Sequence, residues 1–179
     1  MGTRRLRRAL LLTAGVGLLA ASALAPAVAH SAARFTLKSP SFRPGATIPR
    51  RHTCDGANRS PRLVWSSPPR AALSFALLVD DPDAPGGTFT HWFGWGIGKG
   101  VRALASGEAL PVEGLNDVRV RGYQGPCPPP GDGPHRYVFR LYALDARLTL
   151  PRGASRDSFL RALKGHIIQV ARLVGTYER

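Results

Sequence analysis

Leu73-Ser-Phe-Ala-Leu-Leu-Val79, running into Asp80-Asp81-Pro82-Asp83-Ala84-Pro85-Gly86-Gly87 and then His91-Trp92, is the stretch on which the reading of this 179-residue chain turns. The apolar run is short, rich in strand formers and closed by turn residues, which predicts a buried strand ending in carboxylates. Pro82 fixes one φ and disfavours helix before it, so Asp81 and Asp83 are expected in extended backbone with their side chains on one side. A turn centred near Gly86 sets Asp81 opposite His91, and one centred between Gly86 and Gly87 shifts the pairing by one. Taken alone, such an Asp-x-Asp more often serves turn chemistry than a site. A functional reading needs a second stretch.

That stretch is Gly125-Pro-Cys127-Pro-Pro-Pro130-Gly-Asp-Gly-Pro-His135-Arg-Tyr137, which leads into the apolar Val138-Phe-Arg-Leu-Tyr-Ala-Leu144. Period two puts His135, Tyr137, Phe139 and Leu141 on one face of a strand, so two polar rings cap an apolar stripe. A single such histidine is commonly a satisfied structural residue. The rigid proline-glycine loop ahead of it favours a fixed pocket wall instead. Arg136 faces the other way and is assigned to a structural ion pair with a nearby acid.

Residues 1–29 carry Arg4, Arg5, Arg7 and Arg8, an uncharged run from Ala9 to Ala25, and Ala27-Val28-Ala29 before His30. A basic n-region, an apolar h-region and a small-x-small site predict a secretory signal peptide over 1–29, with one domain over 30–179. The apolar core is too short and too interrupted for a membrane span, and no lipid-anchor cysteine follows it. Export to the periplasm or exterior is the expected localisation. About 150 residues then remain, enough for one hydrophobic core.

Cys54 and Cys127 are the only cysteines. An oxidising compartment and an even count permit a bridge between them, while two small buried hydrophobes are the alternative.

The net charge is +14, or +10 without the four leader arginines. That balance favours anionic partners, whether phosphate head groups, acidic surfaces or nucleic acid. The arginines are scattered, with no aromatic-interleaved patch or nucleic-acid motif, so no nucleic-acid partner is expected.

Short apolar runs between Gly/Pro turns predict a mostly antiparallel β domain: Phe35–Ser39, Leu63–Trp65, Leu73–Val79, His91–Gly98, His135–Leu144 and Gln169–Tyr177. Residues 99–116 read as loop. A helix follows Pro151, with Ser155 as N-cap, Phe159, Leu160, Leu163 and Ile167 at helical spacing, and Gly165 near its end.

The two stretches, with Thr53-Cys54-Asp55-Gly56 ahead of them, resemble the phosphatidylethanolamine-binding protein family, also called Raf kinase inhibitor-like proteins, and its small bacterial branch in particular. The resemblance implies an antiparallel β-sandwich of Greek-key type with a small pocket for phosphate-bearing or phospholipid head groups. By motif position the pocket is lined by Asp81, Asp83, His91, Pro129, His135 and Tyr137. Neighbouring carboxylates are expected to favour the protonated forms of His91 and His135, which with loop N–H groups supply the donors. The expected function is that of an exported small-ligand-binding protein, with modulation of a partner protein as a further role and with neither catalysis nor a cofactor.

Two alternatives use the same residues. His and Asp are ligands for zinc and related ions, although no compact ligand spacing is present. A hydrolase would need a nucleophile, and there is no Gly-x-Ser-x-Gly elbow. Thr90 points away from its neighbour His91, and Cys54 or Cys127 would serve only if unbridged.

Overall fold

A computed structural model describes residues 34–179. The expected signal peptide over 1–29 and the expected start of the domain at His30 lie outside the described residues.

β3 (Ser74–Asp81) forms the centre, and all eight of its residues are buried. β4 (Phe89–Gly98) and β7 (His135–Leu144) pair antiparallel on either side of it. The sheet is extended by β6 (Val112–Glu113) beyond β4 and by β8 (Ile167–Tyr177) beyond β7, giving the order β6-β4-β3-β7-β8. Because β7 returns to lie beside β3, the run β7-β3-β4-β6 has the spatial order of a Greek key. A second sheet, in the order β1-β2-β5, is built from β1 (Leu37–Lys38), β2 (Leu63–Trp65) and β5 (Ala103–Leu104).

Alternation along β3 explains its unbroken apolar run. Phe75, Leu77 and Val79 face the second sheet and pack with Leu37, Leu63, Trp65 and Phe139. Ala76 and Leu78 face the other way, into a cluster of Phe93, Trp95, Tyr142, Leu144, Phe159 and Leu163 beneath helix α1 (Arg156–Leu163). A strand covered on both faces has no polar side to show, so periodicity of two disappears from its sequence.

Ser155 caps α1 as expected, its side chain accepting from the Ser158 amide. Ile167 is not on the helix. Gly165 takes φ 82°, reverses the chain, and Ile167 opens β8. The expected loop over 99–116 contains β5 and β6, whose two-residue lengths leave no periodic signature. β5 pairs with β2 and β6 with β4, which buries Leu104 and Leu110.

The hairpin register differs from the expectation. Asp81 lies opposite Phe89, Asp80 opposite Thr90 and Val79 opposite Trp92, which leaves His91 as an extra residue on β4. This is a β-bulge. It lets His91 and Trp92, adjacent in sequence, both serve the inner face, where Trp92 joins the core and His91 turns to the sheet's end.

Candidate functional site

At the end of the sheet where β3 stops and β7 starts, a cavity of about 320 Å³ opens among Asp81, Phe89, His91, Pro129, His135 and Tyr137. Asp81 is the last residue of β3, His135 and Tyr137 are the first inward-facing residues of β7, and the bulge delivers His91. The segment Gln124–Pro129 closes the remaining side. Its position is set by the Cys54-Asp55-Gly56 turn. Cys54 and Cys127 are joined by a disulfide, and the Cys54 amide donates to the Pro126 carbonyl at 3.1 Å. The Gly125 amide donates to Asn58 Oδ1 at 2.8 Å, and a Cβ at Gly125 would run into the His52 carbonyl and the Asn58 side chain. Only glycine permits this approach.

Asp81 and His135 form a buried pair, each side chain 4% exposed, with Nδ1 and Oδ2 2.8 Å apart. The other Asp81 oxygen accepts from the Asp83 amide at 2.8 Å. The outer ring nitrogen of His135, Nε2, lies 3.1 Å from Asp132 Oδ2. Burial disfavours a charged imidazole here. The hydrogen bonds and charges of Asp81 and Asp132 outweigh it, so the His135 pKa is raised.

His91 behaves in the opposite way. Burial pushes its pKa down, against the opposing pull of the Gln124 carbonyl and the Asp81 charge. Its Nδ1 lies 2.8 Å from that carbonyl and must donate to it, so in the neutral ring Nε2 keeps a lone pair. Of the two histidines expected to be charged, only His135 is placed to be.

The Tyr137 hydroxyl is buried with Asp81 and the Cys127 backbone beside it, yet neither meets hydrogen-bond geometry, so among the described residues it has no hydrogen-bond partner. Burial, with the Asp81 charge second, pushes its pKa up, so it remains a phenol and a donor. Its ring meets that of His91 edge-on at 5.1 Å.

Asp83 does not line the cavity. β3 ends at Asp81 and residues 82–83 form a turn, not the extended backbone expected of them. The Asp83 carboxylate is instead taken by Arg136, with Nη2 at 2.6 Å, Nε at 2.8 Å and the Arg136 amide at 2.9 Å. The Arg136 hydrogen bond holds the Asp83 pKa down to about 2. Arg136 thus has its structural partner, and that partner was expected in the pocket. Asp132, which reasoning from sequence passed over, engages His135 in its place. Its position in Gly131-Asp132-Gly133, three residues before His135, was the available signal.

On the opposite face Asp80 receives Arg140, Arg156 and the Thr90 hydroxyl, so Thr90 faces away from the cavity. Neither cysteine is a free thiol. Among the described residues no three His, Cys, Asp or Glu side chains converge as a metal ion would require. No helix among them is long and apolar enough to cross a membrane.

The antiparallel sandwich is the fold the motifs implied, and residues 38–178 match the family model of the phosphatidylethanolamine-binding proteins. The chain belongs to that family. A UPF0098 protein of Methanothermobacter thermautotrophicus is 46% identical over 150 residues, spanning 80% of this chain and 98% of its own. LppC of Mycobacterium tuberculosis, named as a candidate lipoprotein, is 46% identical over 153 residues, covering 84% of this chain and 75% of its own. The crystal structure of CT736 from Chlamydia trachomatis, described as a candidate phosphatidylethanolamine-binding protein homologue, superposes with a TM-score of 0.77. It is 41% identical and covers 81% of this chain and 97% of its own.

Proposed function

We propose that this chain is an exported small-ligand-binding protein, not an enzyme, whose cavity takes a phosphate-bearing or similar anionic head group. One observation carries the reading: among the described residues the Tyr137 hydroxyl is buried without a hydrogen-bond partner, in a cavity that also holds His135. A buried donor left unpaired costs roughly 1–3 kcal/mol, a cost that a bound acceptor removes. Neutral His91 adds an acceptor at the same place, which suits the proton of a phosphate monoester or a head-group amine. A cavity of about 320 Å³ has room for a head group and not for acyl chains. The basic leader of residues 1–29 and a relative named as a candidate lipoprotein support export.

The test is a thermal-shift screen of the purified protein against phosphates, phospho-head groups and divalent metals. Phosphate monoesters are expected to raise the midpoint. Stabilisation by metals alone would favour a metal-binding protein, and product accumulating with time would favour a hydrolase.

A further inference from the structure

Among the described residues no Lys or Arg lines the cavity, which leaves His135 as its cationic side chain. Yet neither ring nitrogen of His135 is free: Nδ1 is held by Asp81 and Nε2 by Asp132. With His135 protonated, the triad Asp81–His135–Asp132 carries one net negative charge. An anion added to that arrangement would meet two carboxylates and one imidazolium with no N–H to offer.

We propose that the Asp132 carboxylate is an internal stand-in for the ligand's anion, released from His135 Nε2 when the ligand arrives. The inference rests on the anion-binding reading above. Exchanging the carboxylate for a sulfate or phosphate dianion adds one negative charge to the site, whereas adding the dianion to the intact triad adds two and sets it beside a second carboxylate.

The two carboxylates on His135 are not equivalent. Asp81 is 4% exposed, sits on the central strand and bonds at 2.8 Å, with its second oxygen also engaged. Asp132 is 43% exposed, bonds at 3.1 Å and precedes the strand. It stands between Gly131 and Gly133, both in the left-handed region at φ 80° and 84°, where glycine moves at least cost. It is not a wall of the cavity, so its departure opens Nε2 without dismantling the pocket. Water solvates the released carboxylate.

The competing role for Asp132 is to orient and charge His135, as a carboxylate behind a histidine often does. The two roles predict opposite signs. Inorganic sulfate, whose charge is constant, is titrated into the wild type, D132N and D132A by calorimetry at pH 5.5, with the protonation of the His135 ring in each followed by NMR so that binding is compared between protonated forms. Release of a charge-assisted bond predicts about tenfold tighter binding by D132A, with D132N intermediate. Thermal melts establish that both variants are folded. Equal or weaker binding by both variants, with sulfate bound by the wild type, overturns the displacement and leaves the anion pocket standing. Binding by neither wild type nor variants overturns the anion reading itself. Binding detectable only in the variants supports displacement.

Discussion

Replacing Tyr137 by Phe removes one oxygen from a residue 1% exposed and leaves its ring packing against His91 intact. Two consequences of opposite sign follow. The hydroxyl has no hydrogen-bond partner among the described residues, so deleting it relieves a desolvation cost of roughly 1–3 kcal/mol. Solvent reaching the cavity recovers part of this, and the net gain is put at ~1 kcal/mol, a rise of about 2–4 °C in Tm for a chain of this size. Binding moves the other way. A phosphate loses the hydrogen bond of a neutral donor to a charged acceptor, roughly 1.5–3 kcal/mol or about 10- to 150-fold in Kd. Urea denaturation and calorimetric titration of the same preparation read both numbers. A variant that is less stable by 1 kcal/mol or more would show that the hydroxyl is already satisfied in the free protein, and the argument for a ligand at that atom would fail.

The remaining predictions concern the buried pair, the bridge and pH. Asp81→Ala and His135→Ala each strand a buried partner, so each is expected to abolish phosphate binding and to cost ~3 kcal/mol by urea denaturation. A cost below 1 kcal/mol would mean that the pair is solvated. The Cys54–Cys127 bridge spans 73 residues, and C54S/C127S is expected to lose up to about 4 kcal/mol on the chain-entropy argument. Intact mass before and after reduction with alkylation counts the thiols; two already free would refute the bridge. His135 has a raised folded pKa, so its contribution to stability is complete below about pH 6.5 and is lost as pH rises through the raised value. The depressed pKa of His91 acts in the opposite sense, removing stability as pH falls below about 6.5. His52, also lowered by burial, keeps the sense of His91, so the difference between H91Q and H91Q/H135Q by urea denaturation from pH 5 to 8 isolates the first slope. Identical pH profiles of the two would contradict it. Sulfate affinity is likewise expected to fall between pH 6 and 8.

The central strands were legible because their chemistry repeats along the chain. Thirteen consecutive positions, from Gly125 to Tyr137, carry proline, glycine or polar residues before an apolar run, and that contrast located the mouth of β7 as well as its two rings. The bulge was not legible. Gly86 and Gly87 both accept a turn, and an extra residue in a strand leaves no trace in composition, so the pairing of Asp81 came out two positions away from its real partner. The assignment of acids failed for a related reason. Asp83 and Asp132 both stand beside a strand end, and only the turn at residues 82–83 decides that the first meets Arg136 and the second His135. Charge pairing across loops is a three-dimensional fact. His91 was misjudged because burial, which sequence reveals poorly at a strand edge, outweighs the carboxylate near it.

The disulfide also divides the chain topologically. Residues 54–127 form a closed covalent ring that contains β2 through β6, while β7, α1 and β8 hang from it as a tail. A protease cutting in the exposed run 117–121 opens the ring without separating anything, so denaturing electrophoresis shows a full-length mass until a reductant is added. A cut at Gly131–Gly133, six residues or fewer beyond Cys127, severs the tail outright. The two loops at the cavity's mouth therefore fall on opposite sides of a covalent boundary, one tethered at both ends and the other held only by its fold.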